Sequence, residues 1–187
     1  KNQLYDKIQR QTARQSKLLA DFIEAYSVEE DEEKRKKILG KIVVIGAYIK
    51  RRSNLIFIAE QTVKFPIREL ELCFRETIKN LEWNHVEAGF STYVDEIRSE
   101  DAMKIYDFFE AVIEESLEDL SAFMLYLKRE DEGIVVSMSV DCKTDLQDVR
   151  KYISRAFPFR MTEAVRVNIH RQALSETCLR PPYHLRP

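Results

Sequence analysis

The sequence predicts an α+β chain in which a helical hairpin precedes a two-layer sandwich of helices and strands. Two observations lead to this prediction. In the first part of the chain, apolar side chains recur at alternating spacings of four and three, which is typical of paired helices. Beyond Pro66, some segments instead alternate apolar and polar residues, which is typical of strands. We therefore expect a hairpin domain at residues 1–64, an α+β domain at residues 66–175 and an irregular tail at residues 176–187.

Two heptad-spaced seams define the hairpin. The seam of the first helix, residues 1–27, consists of Leu4, Ile8, Gln11, Gln15, Leu18, Phe22 and Ala25. The seam of the second, which should end near Thr62, consists of Ile38, Ile42, Ile45, Ile49, Arg52, Ile56, Ala59 and Val63. Because one hairpin cannot bury both seams completely, two copies should form a four-helix bundle, and we expect a homodimer.

The remaining elements are predicted from periodicity and from turn residues. Helices are expected from Pro66 to Glu82, from Ser99 (as a helix cap) to Leu117, and over residues 145–157. Strands are expected at residues 86–92 and 162–170, and as a β-hairpin with arms Ala122–Lys128 and Gly133–Val140. Mixed helices and strands of this kind indicate a sandwich with one sheet.

Composition narrows the possible functions. Of the 187 residues, 44% are hydrophobic and 33% are charged, as in a folded protein with a charged surface. The net charge of −2 argues against nucleic acid as the main partner. The three cysteines, Cys73, Cys142 and Cys178, are widely spaced, so we expect buried thiols in a reducing cytoplasm. The chain starts inside a predicted helix, and we interpret it as a fragment whose parent protein could be anchored in a membrane upstream.

Two segments carry a resemblance to a known family. They are IGAYIKRRSNLIFIAEQ in the second helix and IYDFFEAVIEESLEDL in the helix after Ser99. With the order of elements, they make residues 1–175 resemble the cytoplasmic half of a bacterial sensor histidine kinase. The resemblance implies a dimerisation and phosphoacceptor hairpin, followed by an ATP-binding domain of the gyrase/Hsp90/kinase type. It also implies a response regulator as a partner.

The phosphoacceptor position departs from the family pattern. Where such kinases carry His-Asp and, after three intervening residues, Gln, this chain has Tyr5, Asp6 and Arg10. A phenol with a pKa near ~10 does not replace an imidazole as a nucleophile at neutral pH. No histidine precedes His85, and the histidines His85, His170 and His184 match no metal-ligand spacing. Tyr5 and Asp6 can equally be ordinary helix residues.

The position of the Mg²⁺-binding box departs from the pattern as well. Glu110 matches the family's Glu, but Glu114 stands where an Asn should bind Mg²⁺, and Glu118 stands where a basic residue is usual. A carboxylate can bind Mg²⁺. The simpler alternative is that these glutamates form a solvated acidic face of an amphipathic helix.

The glycine-rich box is absent. The family's Asp-x-Gly-x-Gly matches Asp141, but Lys143 and Asp145 replace both glycines, and no glycine follows Gly133. Without glycine, a loop cannot bring backbone amides close to phosphates. We therefore expect no cofactor. ATP and Mg²⁺ belong only to the alternative of an active kinase, which would use Glu110, Glu114 and Asp141.

A basic cluster, Lys50, Arg51 and Arg52, interrupts the second seam. A charge at a seam position needs a partner. Arg52 could pair across the bundle with Glu24, Asp21 or a second chain, or the cluster could contact an acidic partner or the α+β domain. The function that we infer is a signalling module with a degenerate ATP-binding domain. The alternatives are an active histidine kinase and an unrelated adaptor.

Overall fold

The computed structural model describes residues 2–130, 133–149, 151 and 165–172 and has an α+β fold. The helices are α1 (Asn2–Val28), α2 (Glu32–Ala59), α3 (Ile67–Glu82) and α4 (Ser99–Ser116). The strands are β1 (Lys64–Pro66), β2 (Glu87–Thr92), β3 (Glu96–Arg98), β4 (Ala122–Glu130), β5 (Gly133–Asp141) and β6 (Val165–Gln172). The α+β class that the sequence predicted is confirmed.

Helices α1 and α2 form the predicted antiparallel hairpin. The Asp31 carboxylate caps α2 by accepting a hydrogen bond of 2.9 Å from the backbone N–H of Lys34. Ile45 and Ile56, both on the predicted seam, are fully buried in a single chain. A second copy is therefore not needed to bury the centre of this seam. The helix ends at Ala59 rather than at Thr62.

The main sheet has four strands in the order β2-β4-β5-β6. The central pair β4–β5 is antiparallel, as predicted, whereas β2 and β6 run parallel to their neighbours. Alternate residues point to the helices, so that Phe123, Leu125 and Leu127 of β4 are buried while Met124 is half exposed. One face of the sheet therefore forms the core.

Helices α3 and α4 cover this face through aromatic contacts. The Phe109 ring lies 4.9 Å from that of Phe74 and 5.7 Å from that of Phe123, both in edge-to-face geometry. Helix α2 joins the same core through Val44 and Leu55. The boundary predicted between residues 1–64 and 66–175 remains a prediction, but apolar packing continues across it.

A small second sheet was not predicted. Strands β1 and β3 pair antiparallel, and their middle residues, Phe65 and Ile97, are buried. Three-residue strands are too short to show an alternating pattern. Ser99, which was expected to cap α4, has a different role beside this small sheet. Its hydroxyl donates a hydrogen bond of 2.6 Å to the Thr62 carbonyl. The cap position of α4 is Arg98, which provides no side-chain cap.

Some predictions fall partly beyond the described residues. The helix expected at residues 145–157 is helical at 147–149 and 151, so it begins two residues later than predicted, and residues 150 and 152–157 lie outside the described part. The last strand is present as β6, which extends to Gln172 rather than ending at His170. The predicted tail, residues 176–187, lies outside the described residues.

Candidate functional site

Four carboxylates follow one face of α4 and the turn after it: Asp107, Glu110, Glu114 and Glu118. Their spacings of three, four and four place them on a single stripe of the helix. This stripe includes the positions at which the sequence suggested magnesium ligands. It is directed toward the helical hairpin, and the contacts below show how the chain accommodates so many acids.

Asp107 receives two side chains from α2. The Arg52 guanidinium donates to both carboxylate oxygens, with Nε at 2.5 Å and Nη2 at 2.9 Å, and the Tyr48 hydroxyl donates at 2.9 Å. Arg52 is buried, and such a bidentate pair has a fixed geometry. The expectation that Arg52 is paired is therefore confirmed. The expected partner across the bundle, Glu24 or Asp21, is wrong.

The other two residues of the basic cluster also contact the α+β part. Lys50 and Arg51 both form ion pairs with Glu76 of α3. Together with Arg52, they connect α2 to α3 and α4. Of the two interpretations left open by the sequence, the structure supports a contact surface for the α+β part.

Glu114 and Glu118 are bound by the hairpin. Glu114 accepts a charged hydrogen bond from Arg14 and a longer one of 3.4 Å from Gln15 Nε2, both on α1. Glu118 forms an ion pair with Lys41 of α2. Gln15 is buried and the Glu114 side chain is mostly covered. A solvated acidic face is therefore the wrong description for Glu114.

Glu110 lies beneath the hairpin and is 1% exposed. Among the described residues, neither of its carboxyl oxygens has a hydrogen-bond partner. Burial raises the pKa of this carboxyl well above its usual value, and the nearby charges of Glu114 and Asp107 raise it further, while Arg14 acts against them. Burial therefore favours the neutral form of Glu110, and a covered carboxyl of this kind is a poor magnesium ligand.

Two tyrosines complete the polar layer between α2 and α4. The rings of Tyr48 and Tyr106 are stacked with their centroids 5.3 Å apart. Burial raises the pKa of both phenols well above the usual value, with a further contribution from Asp107 at Tyr48 and from Glu110 at Tyr106. Both hydroxyls therefore stay protonated, and Tyr48 acts as a hydrogen-bond donor to Asp107.

The loop after β5 is tied to the end of α4. Asp119 accepts hydrogen bonds of 3.0 Å from the Lys143 backbone and 3.1 Å from the Thr144 hydroxyl. Glu115 accepts one of 2.8 Å from the Val149 backbone, at the start of the next helix. Two further acids, one at the end of α4 and one in the turn after it, therefore hold the segment in which the family would place its glycines.

Asp141 lines a cavity that neither Glu110 nor Glu114 lines. Asp141 lines a cavity of about 330 Å³ at one end of the main sheet, together with Glu87, Met124 and Ser139 among others. A second cavity of about 220 Å³ lies between α2 and α3. No residue of α4 lines either cavity. Of the three residues that a kinase would use at one nucleotide site, Asp141 lines the first of these two cavities and Glu110 and Glu114 line neither.

The phosphoacceptor position is also remote from this stripe. Tyr5 is 68% exposed near the start of α1, and Asp6 is exposed beside it. The α1 residues that reach α4 are Arg14 and Gln15, more than two turns farther along the helix. Tyr5 and Asp6 therefore behave as surface residues of a helix.

Other reactive groups do not form a site in the described part of the chain. No group of three or more His, Cys, Asp or Glu side chains there is arranged to hold a metal ion. Cys73 and Cys142 are buried free thiols, as expected, and burial raises the pKa of Cys73 to about 12. Cys178 lies outside the described residues. No described helix combines the length and apolarity that crossing a bilayer requires.

Comparison with known proteins gives little further information. No family model matches the sequence, and no curated protein matches it either. A solved structure described as a bacterial phosphotransferase resembles the chain with a TM-score of 0.43 and 11% identity. The likeness covers 86% of this chain and 77% of that one. It is too weak to assign a fold family or an activity.

Proposed function

We propose that this chain is a signalling module related to bacterial sensor histidine kinases, which binds partners through its helical hairpin and does not use ATP. The observation that carries the proposal is the covered stripe of α4. The positions matched to the family's Mg²⁺ box, Glu110 and Glu114, lie beneath α1 and α2, and the chain itself supplies their neighbours.

Three features of this site oppose nucleotide binding. Mg²⁺ needs accessible, charged or strongly polar oxygen ligands, whereas Glu110 is buried and its burial raises the pKa of the carboxyl, which favours the neutral form. A triphosphate near Glu114 would have to displace Arg14 and would then meet acidic side chains. The backbone amides that usually hold phosphates require glycine, and Lys143 and Asp145 stand at those positions.

The hairpin is attached to the α+β part unequally, which suggests how a signal could pass. On α2, seven residues are buried, most of them apolar. On α1, the buried residues are Thr12 and Gln15, and both are polar. Because apolar burial contributes most of the packing energy, α1 should move more easily than α2. We propose that a displacement of α1 changes the contact with Glu114 and is read by a partner such as a response regulator.

Calorimetric titration with Mg-ATP tests the absence of nucleotide binding. We expect no binding up to millimolar concentrations. A dissociation constant below about 100 µM, equivalent to roughly −5.5 kcal/mol, would overturn the proposal and favour an active kinase.

A double variant, Arg14→Ala with Gln15→Ala, makes the test sharper. It uncovers Glu114 without changing the loop after β5, and we expect it to bind no nucleotide either. Binding by this variant alone would mean that the hairpin, rather than a lost site, blocks ATP. That outcome would contradict a degenerate site and indicate an autoinhibited kinase instead.

A further inference from the structure

The free edge of strand β2 carries backbone groups that no other described strand uses. In the main sheet, β2 is the outermost strand and pairs only with β4. The backbone N–H of Glu87 donates a hydrogen bond of 2.9 Å to the Ser121 carbonyl, on the side of β4. Successive residues of a strand direct their backbone groups to opposite sides. The N–H and C=O groups of Ala88, Phe90 and Thr92 therefore point away from β4, to the free edge.

Strand β2 lacks the features that usually protect such an edge. Native edge strands are blunted by lysine, by proline or by a β-bulge. β2 has the sequence EAGFST and pairs with β4 in unbroken register over all six residues. The strand is held in place from the core side, because the Phe90 ring packs with its centroid 5.0 Å from that of Phe74. A fixed, flat edge of this kind can be extended by one further strand.

The outer face of the sheet beside this edge combines negative charge with an apolar surface. Glu87 is exposed, and it lines the cavity of about 330 Å³ at the end of the main sheet together with a second acid, Asp141. None of the described residues that line this cavity is basic. The Met124 side chain lies across Gly89, so that a Cβ built on the glycine would be 2.7 Å from the methionine methyl group. The glycine thereby brings an apolar, adaptable side chain within reach of the edge.

These features specify the chemistry of an occupant. Free backbone donors and acceptors along one strand match an extended peptide rather than a helix. A residue of that peptide opposite Gly89 points to the outer face, because residues paired across two strands have their side chains on the same face. Lysine or arginine fits this position. Its aliphatic stem can contact Met124 while its cation lies beside the Glu87 carboxylate.

We propose that the free edge of β2 binds an extended segment of a partner protein, which continues the main sheet and places a lysine or arginine beside Glu87. The surface is separate from the helical hairpin, so the inference goes beyond the proposed function. Main-chain hydrogen bonds would supply the affinity, and the charge of Glu87 with the Met124 contact would select the side chain.

Selection from a phage-displayed library of random octapeptides on the immobilised 187-residue chain tests the proposal. We expect the enriched peptides to carry lysine or arginine and to bind with dissociation constants below about 100 µM. Only one side of an added strand faces β2. Methylation of the peptide's backbone nitrogens at alternate residues should therefore weaken binding at least ~10-fold for one alternate set and leave it nearly unchanged for the other. No enrichment, enriched peptides without a basic residue, or equal effects of the two methylated sets would overturn the proposal.

Variants of the protein locate the bound peptide. Glu87→Lys should weaken binding at least ~10-fold, whereas the control Glu24→Lys, at an exposed glutamate of α1, should not. Ala88→Pro removes a donor from the free edge but no bond to β4, and proline is accepted on edge strands. It should keep the circular dichroism of the natural chain and bind at least ~10-fold more weakly, and the methylated peptides test the same edge without changing the protein. Binding that is insensitive to Glu87→Lys would contradict this location. The titration with Mg-ATP is independent of these outcomes, so the two proposals can fail separately.

Discussion

Replacing Glu110 by glutamine should make the protein more stable at neutral pH and remove most of a pH dependence. Glu110 is buried without a hydrogen-bond partner among the described residues, and burial raises its pKa well above the usual value. The unfolded chain ionises this carboxyl near pH ~4.3. Between that value and the raised folded pKa, the folded protein therefore binds one more proton than the unfolded chain.

The sign and size of the effect follow from this difference. The stability contributed by protonated Glu110 is fully present below about pH 4.3 and is lost as the pH rises toward the folded pKa. In that window the free energy of unfolding falls by about 1.4 kcal/mol per pH unit. A neutral glutamine does not ionise, and its amide can donate toward Asp107 or Glu114. The difference in the free energy of unfolding between Glu110→Gln and the natural protein should therefore grow by about 1.4 kcal/mol per pH unit in this window.

Urea unfolding followed by circular dichroism at pH 5, 6, 7 and 8 would measure the effect. Glu118→Gln is the control, because the Glu118 side chain is 76% exposed and a glutamine at this position can still accept a hydrogen bond from Lys41. Its stability difference should be small and nearly independent of pH. Parallel stability curves for Glu110→Gln and the natural protein across this range would refute the reasoning.

Three further predictions concern the packing around this site. Arg52→Ala should lower the free energy of unfolding in urea by about 3 kcal/mol, because it leaves Asp107 without its bidentate partner. The control Arg75→Ala, which breaks an exposed pair within α3, should lower it by less than about 0.5 kcal/mol. Equal costs would contradict a structural role for Arg52. Phe109→Ala should cost about 3–5 kcal/mol, measured in the same way, because the ring is fully buried among three aromatic rings. In hydrogen exchange, amides of α1 should exchange faster than those of the buried half of α2, and equal protection would argue against a mobile α1.

Local periodicity predicted much of the fold. The heptad spacing gave the extents of α1 and α2 to within about a turn, and alternation gave the β4–β5 hairpin. These features were predictable because each depends on neighbours within a few residues. The pair of three-residue strands was not, because each strand is stabilised by contact with a segment about 30 residues away rather than by its own pattern.

The candidate site was harder to predict, because a spacing does not specify what lies opposite. Glu110, Glu114 and Glu118 share one helical stripe, so their spacing could not distinguish their surroundings. In the structure Glu110 is buried, Glu114 is covered by α1 and Glu118 stays exposed. Asp107 and Tyr48 were missed as site residues. The available signal was Arg52 itself, because a cation in an apolar seam requires a nearby acid, and Asp107 lies three residues before Glu110.

Arg52 also bears on whether the hairpin could pair through the predicted seam of α2. A dimer that used the predicted seam would have to separate α2 from α1 and α4 and expose Ile45 and Ile56, which are already fully buried. It would also strain or break the pair between Arg52 and Asp107, and breaking a buried ion pair typically costs about 3–5 kcal/mol. Packing within one chain therefore explains the apolar heptad positions at the centre of α2, and these positions do not by themselves require a second copy.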